Sequence, residues 1–321
     1  MIARVLLAGL LLLLPPLARA HEALSDQIAK LTIAIEAAPS SCSLLLSRAE
    51  RLSRLSLFER ALSDLSRVLV LCSGHPDALL SRGKIHFAVG QPALALEDLD
   101  KVVRILPSAD AFAVRAEVLA SMGERASAVR DFDEAIDRSS GTRFERPELY
   151  LSRGRLLESM GDLEAAAQGY EEGLLALSSV VLRLEGIRIR SQLGQHDKAR
   201  ALLSPLLGGS GVKVAWYLLS ADLYEASGDV RLARRDRERA LRETDRLLAK
   251  RESGQLRVSR ARALLSLGDP SKAEQDAKRA LALAPRDREA LELLDQIRKR
   301  QDPNRRLTPP GDAPASPQEK Q

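Results

Sequence analysis

The chain reads as an all-α protein made of about seven stacked helix–turn–helix units. Three observations point there. One set of residues recurs at fixed distances: from Gly83 it runs Gly90, Ala95, Leu99, Val102 and Pro107. It repeats as Ala116, Gly123, Ala128, Phe132 and Ala135, as Gly154, Gly161, Ala166, Tyr170 and Gly173, and as Ala261, Gly268, Ala273, Ala277, Ala280 and Pro285. Ala49, Ile187 and Ala221 head looser copies, and the seven starts lie 34, 33, 38, 33, 34 and 40 residues apart. Next, hydrophobic residues make up 45% of the chain but aromatics only 3%, so the core comes from Leu, Ala and Val, which suit close helix contact. Finally, glycine and proline fall at the places where helices must turn or stop.

Each rung of the ladder has a physical cause. Antiparallel helices approach closely only where side chains are small, so Gly83 or Ala116 in a first helix faces Ala95 or Ala128 in the second. The glycine seven residues after the start sits in the tight turn, where a positive φ is cheap only without a Cβ. Pro107 and Pro285 follow second helices, because a residue without an N–H cannot continue one. Leu99, Phe132 and Tyr170 are expected to fill the space between hairpins. A lone hairpin cannot bury its apolar face, so neighbours stack and share stability along the array.

A period near 34 with small, Gly, Ala, large, Ala and Pro in that order resembles the tetratricopeptide repeat. That resemblance implies a right-handed superhelix, or α-solenoid, with a concave face lined by first helices. Relatives serve mostly as assembly scaffolds or adaptors.

The first twenty residues pose a separate problem. Residues 1–4 carry one positive charge, residues 5–14 are apolar throughout apart from Gly9, and Ala18-Arg19-Ala20 has the form of a cleavage site. This is the pattern of a secretory signal peptide over residues 1–20, short and wrongly flanked for a membrane anchor, with an uncleaved anchor as the competing reading. The expected mature protein starts at His21 and is exported, as a bacterial periplasmic or secreted protein. Loss of Arg4 and Arg19 lowers the formal charge from +5 to +3. Most basic residues alternate with Asp or Glu, as in residues 231–246, which describes a self-paired solvated face and not a nucleic-acid surface.

The remaining organisation follows from spacing. Residues 21–41 hold a capping helix or half repeat, with Leu24, Ile28, Leu31 and Ile35 on one face and Pro39 ending it. The array spans residues 42–287. It has an enlarged loop at residues 142–147, a glycine joint at residues 208–211 and a long second helix over residues 239–251. Residues 288–300 form a closing helix with Leu291, Leu294 and Ile297 on one face. Residues 301–321 form a Pro-rich tail that is expected to be disordered.

A second regularity lies inside the repeats. Arg48, Arg82, Arg115, Arg153 and Arg260 each precede the small residue, and Asp64, Asp98, Asp131 and Asp276 stand sixteen residues after four of them. Gly169 breaks the pairing of Arg153. A row of partly buried ion pairs between the two helices of a hairpin is expected, with register as its main role.

The expected partner surface is the first-helix face. The residue three before the small position and the one just after it share a helix face. The former are Leu46, Leu80, Ala113, Leu151, Leu184, Leu218 and Val258. The latter are Glu50, Lys84, Glu117, Arg155, Arg188, Asp222 and Arg262, with Phe87 one turn beyond Lys84. An apolar row beside a mixed-charge row suits an extended peptide or a helix; packing within the array is the competing use of the apolar row.

Catalytic and metal signatures do not appear. The histidines His21, His75, His86 and His196 lack ligand spacing, and there is no nucleophile elbow, Walker loop or dinucleotide fingerprint. No cofactor, metal, small-molecule substrate, nucleic acid or membrane span after cleavage is expected. The function read from the sequence is therefore an exported non-catalytic scaffold or adaptor for a protein or peptide. Alternatives are an envelope assembly factor for unfolded clients, or a metal-handling accessory protein using the mature N-terminal His21. Cys42 and Cys72 lie at matching ends of one antiparallel hairpin, which in an exported protein favours a disulfide over two unpaired thiols.

Overall fold

The computed structural model describes residues 16–141, 146–209 and 211–301, with side chains from Glu22 onward. The apolar run of the expected signal peptide, residues 142–145 of the enlarged loop, Ser210 of the glycine joint and the tail beyond Gln301 lie outside the described residues. Among those described, everything regular is helical. Helix α1 (Pro16–Ala37) is followed by α2 (Cys42–Arg54), α3 (Phe58–Leu71), α4 (Pro76–Ala88), α5 (Pro92–Ile105), α6 (Ala109–Ser121) and α7 (Arg125–Ser139). Then come α8 (Pro147–Ser159), α9 (Leu163–Ala176), α10 (Val180–Gln192), α11 (His196–Gly208) and α12 (Val214–Ala226). The last are α13 (Val230–Leu248), α14 (Gly254–Ser266), α15 (Pro270–Leu283) and α16 (Arg288–Gln301). Two compact units divide the chain, one up to Leu182 and one from Arg183 onward. Helix α1 runs without a break through residues 20 and 21.

Helices α2 to α15 make seven hairpins, each from a first and a second helix. The turns share one chemistry. Ser56, Gly90, Gly123, Gly161, Gly194, Gly228 and Gly268 all have positive φ, and each lies seven residues after its repeat start. The next N–H donates back to the carbonyl five residues earlier, as Gln91 to His86 at 2.8 Å and Asp269 to Leu264 at 2.9 Å. This closes the first helix by a Schellman motif and reverses the chain in three residues. Ser56 occupies this position in the first repeat without glycine's advantage.

Close approach is achieved by alanine. Ala61, Ala95, Ala128, Ala166, Ala199, Ala233 and Ala273, one per repeat, are all wholly buried. The large residue four positions later has a different place from the one expected. Leu99 sits directly over the small residue of its own hairpin, 3.0 Å from where a Cβ on Gly83 would stand. Tyr170 lies over Gly154 in the same way, with its ring 2.3 Å from that position. The absent side chain leaves the space that the large one fills. Leu99 also reaches Val118 of the next hairpin, so it serves both contacts.

The first unit begins with a covalent tie. Cys42 opens α2, Cys72 caps α3, and their sulfurs are bonded with the Cα atoms 6.6 Å apart. Ile28 and Ile35 of α1 pack on this hairpin with Leu45, Leu65 and Val68. At the other end, α16 closes the second unit through Ala290, Leu293, Leu294 and Ile297. Leu291, expected on that face, is half exposed instead, because Ala290, Leu294 and Ile297 follow the buried stripe and Leu291 falls beside it.

The arginine row forms where the spacing requires. Arg48, Arg82, Arg115 and Arg260 each donate from Nε and Nη2 to both oxygens of the aspartate sixteen residues on, at 2.6–2.8 Å. These forks are bidentate and the aspartates buried. The bonds hold each guanidinium in its charged form against the opposing effect of burial. The remaining Nη1 reaches the preceding helix: Arg48 to Thr32, Arg82 to Ser66, Arg115 to Asp100 and Arg260 to Asp245. Each arginine thus joins three helices. In the sixth repeat Ser220 takes the arginine's place and donates to Asp236 at 2.7 Å. The fifth repeat has Gly186 and Leu202 at the two positions and holds the buried Arg190 instead, bonded to Gln195 at 2.6 Å.

Candidate functional site

First helices α2, α4, α6 and α8 of the first unit display Glu50, Lys84, Glu117 and Arg155, all exposed. Their position one residue after the buried small residue fixes this exposure, since a helix turns ~100° per residue away from the packed face. The sign alternates along the row. Two clefts lie between these helices. One, about 320 Å³, is lined by Glu50, Ser53 and Arg54 of α2 with Ser81 and Lys84 of α4. The other, about 310 Å³, lies between Lys84, the α6 residues Ala113 and Glu117, and Arg146, Glu148 and Ser152 at the start of α8.

This second cleft has the richer electrostatics. Arg146, immediately before the helix-starting Pro147, donates to Asp110 of α6 at 2.8 Å. One of its nitrogens, Nη2, is enclosed without a hydrogen-bond partner. The Glu117 carboxyl is pushed above the usual carboxylate range by desolvation, and Lys84 and Arg146 pull it partly back. A cleft with two cations, three carboxylates and apolar walls from Val114, Phe132 and Leu149 suits a polypeptide segment with mixed side chains.

The expected apolar row is largely packing. Leu46 and Leu80 are half-buried against core clusters of the first unit, Leu151 is half-buried, and Ala113 is buried. In the second unit Leu218 and Val258 are buried and only Leu184, 36% exposed, reaches solvent. These side chains point between hairpins, where stacking covers them. Phe87 is likewise half-buried, packed against Ala95, Leu99 and Val118, and is less open than its position after Lys84 suggests. The charged row continues in the second unit, where Arg188 pairs with Glu185 at 2.8 Å, Asp222 faces Arg237 at 3.8 Å, and Arg262 bonds Glu289. Burial pushes the Asp222 carboxyl up.

Sequence reasoning missed Arg146, Asp110 and Ser152 of the second cleft. They lie outside the repeat register, and the only signal was Arg146 beside Pro147 at a helix start. No cluster of three or more metal-binding side chains occurs among the described residues. No described helix is long and apolar enough to cross a membrane.

An array of hairpins with alanine contacts, positive-φ turns and an exposed charged first-helix face defines a helical repeat protein. The tetratricopeptide repeat family model matches residues 114–179 and 218–288. Among solved structures it is similar to the C-terminal part of a TPR repeat-containing protein from Cytophaga hutchinsonii, at 18% identity and a TM-score of 0.57, covering 78% of this chain and 99% of that one. It also resembles a tetratricopeptide repeat protein from Parabacteroides merdae, at 19% identity and a TM-score of 0.45, covering 80% and 98%. At 18% identity the likeness to the Cytophaga hutchinsonii structure speaks to fold. No curated protein sequence matches the chain.

Proposed function

We propose that this protein is an exported, non-catalytic scaffold or adaptor that binds a protein or peptide partner along the first-helix face of its first unit. The observation that carries the reading is the exposed alternating row Glu50, Lys84, Glu117 and Arg155 beside two clefts. A row whose signs alternate selects a partner by charge register, which sets specificity and association rate more than affinity. Export rests on the signal-peptide pattern of residues 1–20, and tetratricopeptide repeat proteins bind protein or peptide partners.

The test places a photoreactive side chain at position 84 and crosslinks in the native envelope. Capture of one dominant partner, lost on Glu117→Lys with circular dichroism unchanged, is the expected result. Equal capture by Glu117→Lys overturns the site. Many unrelated clients with no dominant partner indicate an assembly factor for unfolded chains. Sequencing the mature N-terminus checks export separately; an N-terminus other than His21 removes cleavage after Ala20.

A further inference from the structure

The fourth repeat carries an arginine built like the others but left with one hydrogen bond unmade. Arg153 is 8% exposed. Its Nη1 donates to Asp133 of α7 at 2.7 Å, matching the link to the preceding helix that Arg115 makes with Asp100. Its Nη2 donates to Glu172 of α9, and its guanidinium stands over the Tyr150 ring at 5.7 Å. Its Nε is buried with no partner. In the four repeats that carry both the arginine and the aspartate, that nitrogen donates to aspartate at 2.6–2.7 Å. Here the aspartate position is Gly169, whose missing Cβ would lie 3.6 Å from Nε.

The absent side chain leaves an open cleft of about 380 Å³ between α7, α8 and α9. Val129, Leu157 and Ala165 give it apolar walls, and Gln168 adds an amide. This cleft does not include the first-helix residues proposed above. Buried donors in native proteins have partners, and the unpartnered Nε beside Gly169 defines what completes this one. Asp133 and Glu172 already outnumber the single positive charge, so a further anion meets net repulsion. A neutral acceptor does not, and the apolar walls accept the carbon beside it.

We propose that this cleft binds an amide carbonyl, from a peptide backbone or a carboxamide side chain, which accepts from Arg153 Nε. The remaining amide N–H then has Glu172 and Gln168 as nearby acceptors. The test observes arginine Nε–H signals of the full chain by ¹H–¹⁵N spectroscopy, with Arg153 assigned by its disappearance in Arg153→Lys. N-methylacetamide, as the backbone mimic, and acetamide, as the carboxamide mimic, are titrated separately from acetate. The expected result is a saturable shift of the Arg153 signal with an amide, half-saturating several-fold below acetate, while the aspartate-capped Arg82 and Arg115 signals stay still. The better of the two amides identifies the source. Gly169→Asp, which supplies the missing carboxylate, abolishes the response. Gly169→Ala, which only fills the cleft floor, serves if that variant does not fold. No saturable shift, acetate binding as tightly as the amides, or an undiminished response in the folded Gly169 variant each overturns the proposal.

Discussion

Arg82 and Asp98, sixteen residues apart on the two helices of one hairpin, are joined by two parallel hydrogen bonds of 2.7 and 2.8 Å. The aspartate is buried, while 23% of the arginine side chain reaches solvent. Removing the carboxylate alone leaves a guanidinium with its main partner gone. Asp98→Ala is expected to cost about 2–3 kcal/mol, since access to water softens the penalty of a fully buried orphan charge. The double variant Arg82→Met/Asp98→Leu should recover most of the loss, because a buried pair adds little over well-packed apolar residues. Urea titrations of the three proteins decide it. A double variant as unstable as the single one removes the idea that the pair mainly sets register.

Gly154 and Tyr170 fit only as a pair. The Tyr170 ring is wholly buried, its hydroxyl donates to Glu158 at 2.6 Å, and a Cβ on Gly154 would stand 2.3 Å from it. Gly154→Ala is expected to cost about 3 kcal/mol by overpacking. Adding Tyr170→Leu recreates the pairing that Ala49 and Leu65 make in the first repeat and should return much of the stability. Thermal melts of the single and double variants test this, and a double variant no better than Gly154→Ala refutes the pairing.

The Cys42–Cys72 bond closes a loop of 30 residues. Constraining a loop of that length is worth about 3–4 kcal/mol on the chain-entropy account. The effect should stay local, because repeats couple mainly to neighbours. In the variant Cys42→Ser/Cys72→Ser, amide exchange should accelerate in α1 to α3 and hardly change in α14 and α15. Uniform acceleration throughout would show a single cooperative unit.

Glu117 supplies a pH test. Its folded-state carboxyl is raised above the ordinary 4.5 by desolvation, so the folded protein holds the proton more tightly than the unfolded chain. Ionisation therefore destabilises the fold, fully above the raised value, and the cost disappears as pH falls below about 4.5. Glu117→Gln should raise the melting temperature at pH 7 and lose that advantage in acid. An advantage independent of pH assigns the gain to something other than charge.

Much of this architecture is legible in the chain because helical hairpins are local objects. The turn at Gly90, the contact of Gly83 with Ala95 and the fork between Arg82 and Asp98 all connect residues within a few dozen positions, so fixed spacing encodes them. The same holds for Cys42 and Cys72, whose places at matching ends of one hairpin bring them together. The fourth repeat shows the limit: Gly169 marks a break in the row, but spacing does not say where Arg153 turns.

What the tertiary structure decided is the fate of each side chain between repeats. Leu218 and Val258 occupy one helix position with Leu184, yet packing covers the first two and leaves Leu184 at the surface. Burial depends on how neighbouring hairpins stack, and no periodicity within a repeat carries that distance. Arg146 enters its cleft from outside the repeat register, and Arg153 finds Asp133 and Glu172 only because α7 and α9 flank it in space. The sequence alone determined the hairpins, their turns and their charged pairs, because those are set by local spacing. Contacts between hairpins arise when surfaces meet, and there the folded arrangement alone chose which groups are covered, which are paired and which stay open.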